Sequence, residues 1–129
     1  MSKCIIIAAV FCFSVSQAFS QSKLRVPDEY KKLKNPVSPS RESITAGRSL
    51  YVKHCEYCHG KRGEGDGGKS SVLLTSPGNL AGKKFQTLLP GEQFYKSKFG
   101  IGEMPDFRKK LTDTDVWHIV NYMKTFSKE

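Results

Sequence analysis

The sequence predicts an all-α fold in a single domain. Three segments, about 41–54, 91–99 and 112–126, repeat apolar residues at helical spacing, and the one short apolar run outside them, Ser71 to Leu74, is too brief to read as a strand. A chain of 129 residues supports one domain. With 38% hydrophobic residues, part of them in the first twenty, its core is small for an unstapled chain.

Residues 1–20 read as an export signal. Lys3 gives a positive start, Ile5 to Phe13 is almost wholly apolar, and Ala18-Phe19-Ser20 offers small residues to a signal peptidase, leaving Gln21 first. The apolar stretch falls short of the roughly 20 residues that span a bilayer. Cys4 and Cys12 leave with the signal, and Phe11 before Cys12 does not make a lipid-attachment box. The expected location is therefore periplasmic or otherwise exported.

Residues 21–40 form a polar, basic arm in which Pro27, Pro36 and Pro39 prevent a long helix. Pro27 can open a helical turn with Tyr30 and Leu33 on one side. The arm either wraps over the domain or tethers it to another body. The domain proper, 41–129, opens on a helix capped by Ser40, with Ile44, Gly47, Leu50 and Tyr51 at helical spacing. Gly47 costs about 1 kcal/mol relative to alanine there, which points to another backbone crossing closely. Gly91 to Phe99 reads as a shorter helix, with Tyr95 and Phe99 one turn apart, ended by Gly100. The last helix starts on a capping box, Thr112 with Asp115, and carries an apolar stripe of Val116, Ile119, Val120, Met123 and Phe126.

Between the first two helices stands Cys55-Glu56-Tyr57-Cys58-His59, the C-x-x-C-H pattern of covalent haem attachment. Thiols three positions apart can form thioethers to the two vinyl groups on one porphyrin edge, and the next residue sets an imidazole under the iron. A redox-active dithiol would need a strand feeding a helix, and no run of Val or Ile precedes Cys55. A zinc site would need a second ligand pair, yet His54, His59 and His118 are the only histidines and no other Cys lies beyond residue 12. One haem c, bound through Cys55, Cys58 and His59, is the staple that a small core requires.

Four side chains are candidates for the opposite face of the iron: Met104, Met123, His54 and His118. His54 adjoins Cys55 and does not readily reach that face, Met123 lies on the last apolar stripe, and His118 is on the same helix off the stripe. Met104 lies in an irregular stretch, Gly100-Ile101-Gly102-Glu103-Met104-Pro105, 45 residues beyond His59 and with chain enough to pass around a porphyrin.

Over about residues 41–128 the sequence resembles a class I c-type cytochrome. Gly47, Tyr51 and Cys55 match the family's first helix, which carries a glycine and then an aromatic one turn before the first haem cysteine; Ile119 and Tyr122 match the aliphatic and aromatic residues of the helix that crosses it. The resemblance implies a cytochrome c fold, with N- and C-terminal helices crossing around one covalent haem. It also implies Met104, in Met-Pro after a glycine-bearing loop, as the distal ligand. Pro77 would then be the residue whose carbonyl accepts a hydrogen bond from His59. With histidine and methionine both bound the iron has no open position, which favours electron transfer over oxygen or peroxide chemistry.

Charge survives removal of the signal: the chain carries +9, and residues 1–20 contribute only Lys3, leaving +8. Such a balance steers the protein toward redox partners with acidic docking surfaces, or toward peripheral contact with anionic membranes. Lys83, Lys84, Lys96, Lys98, Lys109 and Lys110 are candidates for a docking surface. Nucleic acid is not expected, because no recognition motif accompanies the basic residues. Gly63-Glu64-Gly65-Asp66-Gly67-Gly68-Lys69-Ser70 imitates phosphate-binding loops but lacks the preceding strand and following helix, so no nucleotide is expected. The expected function is transfer of single electrons by an exported carrier that is not itself an enzyme. The alternatives are a cytochrome subunit of a larger exported oxidoreductase, or a haem sensor or enzyme with an open distal site.

Overall fold

The structure, a computed structural model, describes residues 25–127, so the expected signal and the first residues of the arm lie outside it. Its helices are α1 (Asp28–Lys31), α2 (Arg41–His54), α3 (Glu56–His59), α4 (Lys83–Gln86), α5 (Pro90–Phe99) and α6 (Asp113–Lys124), with one 3-10 turn at Ser70–Val72. Among the described residues there is no strand, and no helix is long and apolar enough to cross a membrane.

The two long terminal helices start where the sequence places their caps. Ser40 Oγ accepts from Ser43 N at 3.2 Å to begin α2. For α6, Asp115 N donates to Thr112 Oγ1 at 3.1 Å while the Asp115 carboxylate accepts from Thr112 N at 2.9 Å. The Thr112 hydroxyl, donating to the Asp115 carboxylate at 2.7 Å, and then the Thr112 amide hold that carboxyl below its ordinary pKa. Along α2 the buried residues are Ser43, Gly47 and Tyr51, a single line four residues apart, and this line meets α6.

At the crossing, a Cβ on Gly47 would overlap the carbonyl of His118, lying 2.6 Å from its carbon and 2.9 Å from Tyr122 Cβ. Glycine is there because α6 backbone occupies the space of a side chain. The neighbouring carbonyl is that of His118 rather than Ile119, which instead points into the core at 1% exposure. One turn on, Tyr51 is wholly buried, packs edge-on against Tyr122 and Phe126, and donates from its hydroxyl to the Gly60 carbonyl at 2.8 Å. Burial raises the pKa of its phenol, so it remains a donor. Leu80, Phe94, Phe107, Leu111, Val116, Trp117, Val120 and Met123 complete the core, with Phe94 stacked on Trp117 at 4.4 Å.

Residues 25–40 do not stand away as an arm. Val26 is buried, and the Tyr30 ring packs on Tyr95 at 4.8 Å and Phe99 at 5.3 Å of α5. The segment is then sewn to α6 by amides: Asn35 Nδ2 donates to Asn121 Oδ1 at 2.8 Å, and Asn121 Nδ2 donates to the Val37 carbonyl at 3.0 Å and to Ser43 Oγ at 2.8 Å. Residues 25–40 thus wrap over the domain.

Asn121 is therefore a buried polar node whose replacement leaves several groups unsatisfied. Asn121→Leu is expected to cost about 1–3 kcal/mol and to free the 25–40 segment. Denaturant unfolding measures the first and limited proteolysis the second; an arm cut no faster than in the parent would show that this amide does not hold it.

Candidate functional site

The haem-binding pattern lies on the turn where α2 passes into α3. Cys55 has φ −120°, which breaks the helix, yet the hydrogen bonds run on through it: Cys55 N to Tyr51 O at 2.8 Å, Cys58 N to Cys55 O at 3.1 Å, His59 N to Cys55 O at 2.9 Å. Helical winding thus sets Cys58 one turn from Cys55 with His59 adjacent. Both cysteines are partly buried, and they are not joined in a disulfide. Burial, with a smaller contribution from Cys58, pushes the Cys55 thiol up to about 12, so without a bound group it is protonated at neutral pH.

His59 is held differently from the other two histidines. His118 Nδ1 shares a hydrogen bond with Ser43 Oγ at 2.8 Å, and the His54 ring packs edge-on against Phe107 at 5.8 Å. His59 Nδ1 is buried with no hydrogen-bond partner. Burial also lowers its pKa, favouring the neutral imidazole that donates a lone pair to a metal. His59 as a whole is only partly buried, and its orphaned Nδ1 lacks the acceptor that a ligating imidazole ordinarily finds for its second nitrogen. Two thiols on one helical turn and the adjacent imidazole, whose neutral form is favoured, fit a covalently bound haem. Among the described residues no three of His, Cys, Asp and Glu converge to hold a bare metal ion.

The hydrogen bond expected from His59 to Pro77 is not formed. Pro77 is partly buried in a turn closed by Gly78 N to Ser76 Oγ at 3.2 Å. That turn presents Gly78 rather than Pro77 to the loop following His59: a Cβ on Gly65 would lie 2.7 Å from the Gly78 carbonyl oxygen. The glycine-rich loop itself folds back on the cysteine turn, with Gly65 N donating to His59 O at 2.8 Å and Lys69 N to Tyr57 O at 2.9 Å. Its amides serve internal carbonyls, where a phosphate cradle would present them outward.

Met104 lies on the loop from Gly100 to Asp106, half-buried against the core, whereas Met123 is enclosed at 3% exposure. Gly100 has φ +67°, and a Cβ there would fall 2.5 Å from the Pro105 carbonyl oxygen, so the loop doubles back tightly at its start. Its far end is fixed by Phe107 N donating to Lys98 O at 2.9 Å, with Phe107 buried. Lys98 is itself paired with Asp113 and lies 5.6 Å from the centre of the Phe94 ring. It therefore leaves the group of lysines available for docking, in which Lys83, Lys84, Lys109 and Lys110 are exposed and Lys96 partly so.

Sequence reasoning did not single out Glu103, whose carboxylate accepts from Thr75 N at 2.8 Å, nor the exposed apolar pair Val72 and Leu74 on the same segment as Thr75.

A family model described as cytochrome C oxidase, cbb3-type, subunit III matches residues 42–123. No curated protein matches the sequence. Among solved structures, the chain is similar to part of a reducing HAO-like protein complex of Kuenenia stuttgartiensis: 24% identity, TM-score 0.65, covering 84% of this chain and 55% of that one. It is also similar to the KustC0563 c-type cytochrome, with 27% identity and TM-score 0.55 over 64% of this chain and 98% of that one. A third likeness is to cytochrome CL of the marine methylotrophic bacterium Methylophaga aminisulfidivorans, with 23% identity and TM-score 0.53 over 72% of this chain and 57% of that one. The chain thus spans little more than half of the first and third of these and nearly all of the second.

Proposed function

We propose that this chain, which belongs to the c-type cytochrome family described as cytochrome C oxidase, cbb3-type, subunit III, is an exported carrier of single electrons with His59 and Met104 as axial ligands. It is a class I monohaem cytochrome c of all-α fold, an electron-transfer protein with covalently bound haem c. When bound, that group supplies one iron able to alternate between ferrous and ferric states.

The observation that carries the ligand reading is the contrast among the four candidate side chains. His54 packs on Phe107, His118 bonds to Ser43, and Met123 is sealed in the core. Met104 is held on a loop pinned at its base and half-open. Cys55 and Cys58 would hold the porphyrin edge, His59 one face and Met104 the other. A thioether opposite an imidazole shifts the potential upward relative to two histidines and leaves no position for a gas or peroxide. The exposed lysines suit redox partners with acidic surfaces.

The mature protein, produced with haem maturation, is expected to show one haem by intact mass, no titratable thiol, and a near-infrared sulfur-to-iron band in the ferric state. Carbon monoxide binding by the untreated ferrous protein would identify an open distal site instead. Recovery of the native protein only with a fixed partner would replace the diffusing carrier by a subunit of a larger oxidoreductase.

A further inference from the structure

The loop bearing Met104 and the segment leading from the glycine-rich loop to Pro77 meet through a hydrogen bond between residues 28 apart: Thr75 N donates to Glu103 Oε2 at 2.8 Å. Its surroundings give it weight. The Met104 loop is fixed at its base through Phe107 and Lys98, and Met104 N closes an inner turn on Ile101 O at 3.1 Å. Its tip has no such support, since Gly102 sits at φ +61° with open space where a side chain would stand.

On the other side, Thr75 belongs to a stretch without regular structure, tied beyond Pro77 to the glycine-rich loop by Leu80 N donating to Gly63 O at 2.6 Å. The Glu103 carboxylate thus joins the chain that follows His59 to the chain that carries Met104. A hydrogen bond to an ionised acceptor is shorter and stronger than a neutral one.

We infer that Glu103 is a positioning residue, clasping the two loops so that Met104 is held at the distal face of the iron. The inference rests on Met104 as the ligand. It assigns Glu103 a role through the hydrogen bond it accepts, which its charge strengthens, rather than through a field at the iron, and this separates two variants. Glu103→Ala removes the acceptor and the charge; Glu103→Gln removes the charge and keeps a carbonyl that accepts from Thr75 N.

The test is imidazole titration of the ferric holo-protein, read as loss of the sulfur-to-iron band. Glu103→Ala is expected to bind imidazole roughly fivefold to tenfold more tightly than the parent, as Met104 yields more readily when its loop is untied. Glu103→Gln is expected to stay within about threefold of the parent, since a neutral hydrogen bond is roughly half as strong as a charged one. An alanine variant that titrates like a parent possessing the band would overturn the role of Glu103 and leave the ligand assignment standing. A glutamine variant as weakened as alanine would overturn the clasp in favour of a charge effect. A parent lacking the band would overturn the Met104 assignment and the clasp together.

Discussion

Gly47→Val is expected to destabilise the holo-protein by about 3 kcal/mol or more, and Gly47→Ala by about 1–3 kcal/mol. The sign is what makes the experiment informative. Alanine has the better intrinsic helix propensity, so on local grounds Gly47→Ala would stabilise α2 by up to about 1 kcal/mol. The crossing reverses this, because the first added carbon would overlap the His118 carbonyl and press on Tyr122 Cβ. Backbone cannot swing aside as a side-chain end does, so α2 and α6 must part, and Tyr51 would lose contact with Tyr122 and Phe126. Valine adds two further methyl groups to the same collision. Denaturant unfolding decides the matter: an alanine variant as stable as the parent would mean that the helices can separate without cost.

Met104→Ala is expected to abolish the sulfur-to-iron band, lower the potential and admit exogenous ligands such as carbon monoxide, with little loss of stability in the polypeptide core. The half-buried position of Met104 on a loop supports that division of effects. Met123→Ala is the complementary change. Met123 is 3% exposed among the core side chains, so its truncation should cost roughly 2–5 kcal/mol while the band persists. Ferric near-infrared absorbance and chemical denaturation of the same two variants separate the roles. Loss of the band in Met123→Ala, with its retention in Met104→Ala, would invert the assignment.

Features that violate a local rule were the ones most legible beforehand. Gly47 signalled a close crossing because glycine is penalised inside a helix, and the caps at Ser40 and Thr112 fixed where the terminal helices begin. The same reasoning was available at Gly91, near the start of α5, where a Cβ would collide with the Tyr30 carbonyl as residues 25–40 pass over. That segment's docking was otherwise invisible, because its pivotal contact joins Asn35 to Asn121 across 86 positions and an amide pair leaves no periodic trace.

Helix α4 escaped notice for a related reason. It has no apolar stripe, and its anchor is polar: Gln86 Nε2 donates to the carbonyls of Leu80 at 2.7 Å and Met123 at 2.9 Å. The cysteine turn was legible as chemistry from five residues, whereas the acceptor for His59 was not. Its expectation at Pro77 depended on the register of an irregular loop, and His59 Nδ1 has no hydrogen-bond partner here.

The meeting of α2 and α6 also bears on how quickly the native state is reached. These helices lie at opposite ends of the domain, and the chain from His54 to Asp113 must close before their contact repays anything. That closure carries an entropic cost rising with the logarithm of loop length, and contacts of such wide sequence separation slow folding. Inside the enclosed span lie His59, the glycine-rich loop and the Met104 loop. Once α2 and α6 have met, all three segments are confined within one closed span, so the fit at Gly47 also bounds the space in which they are arranged.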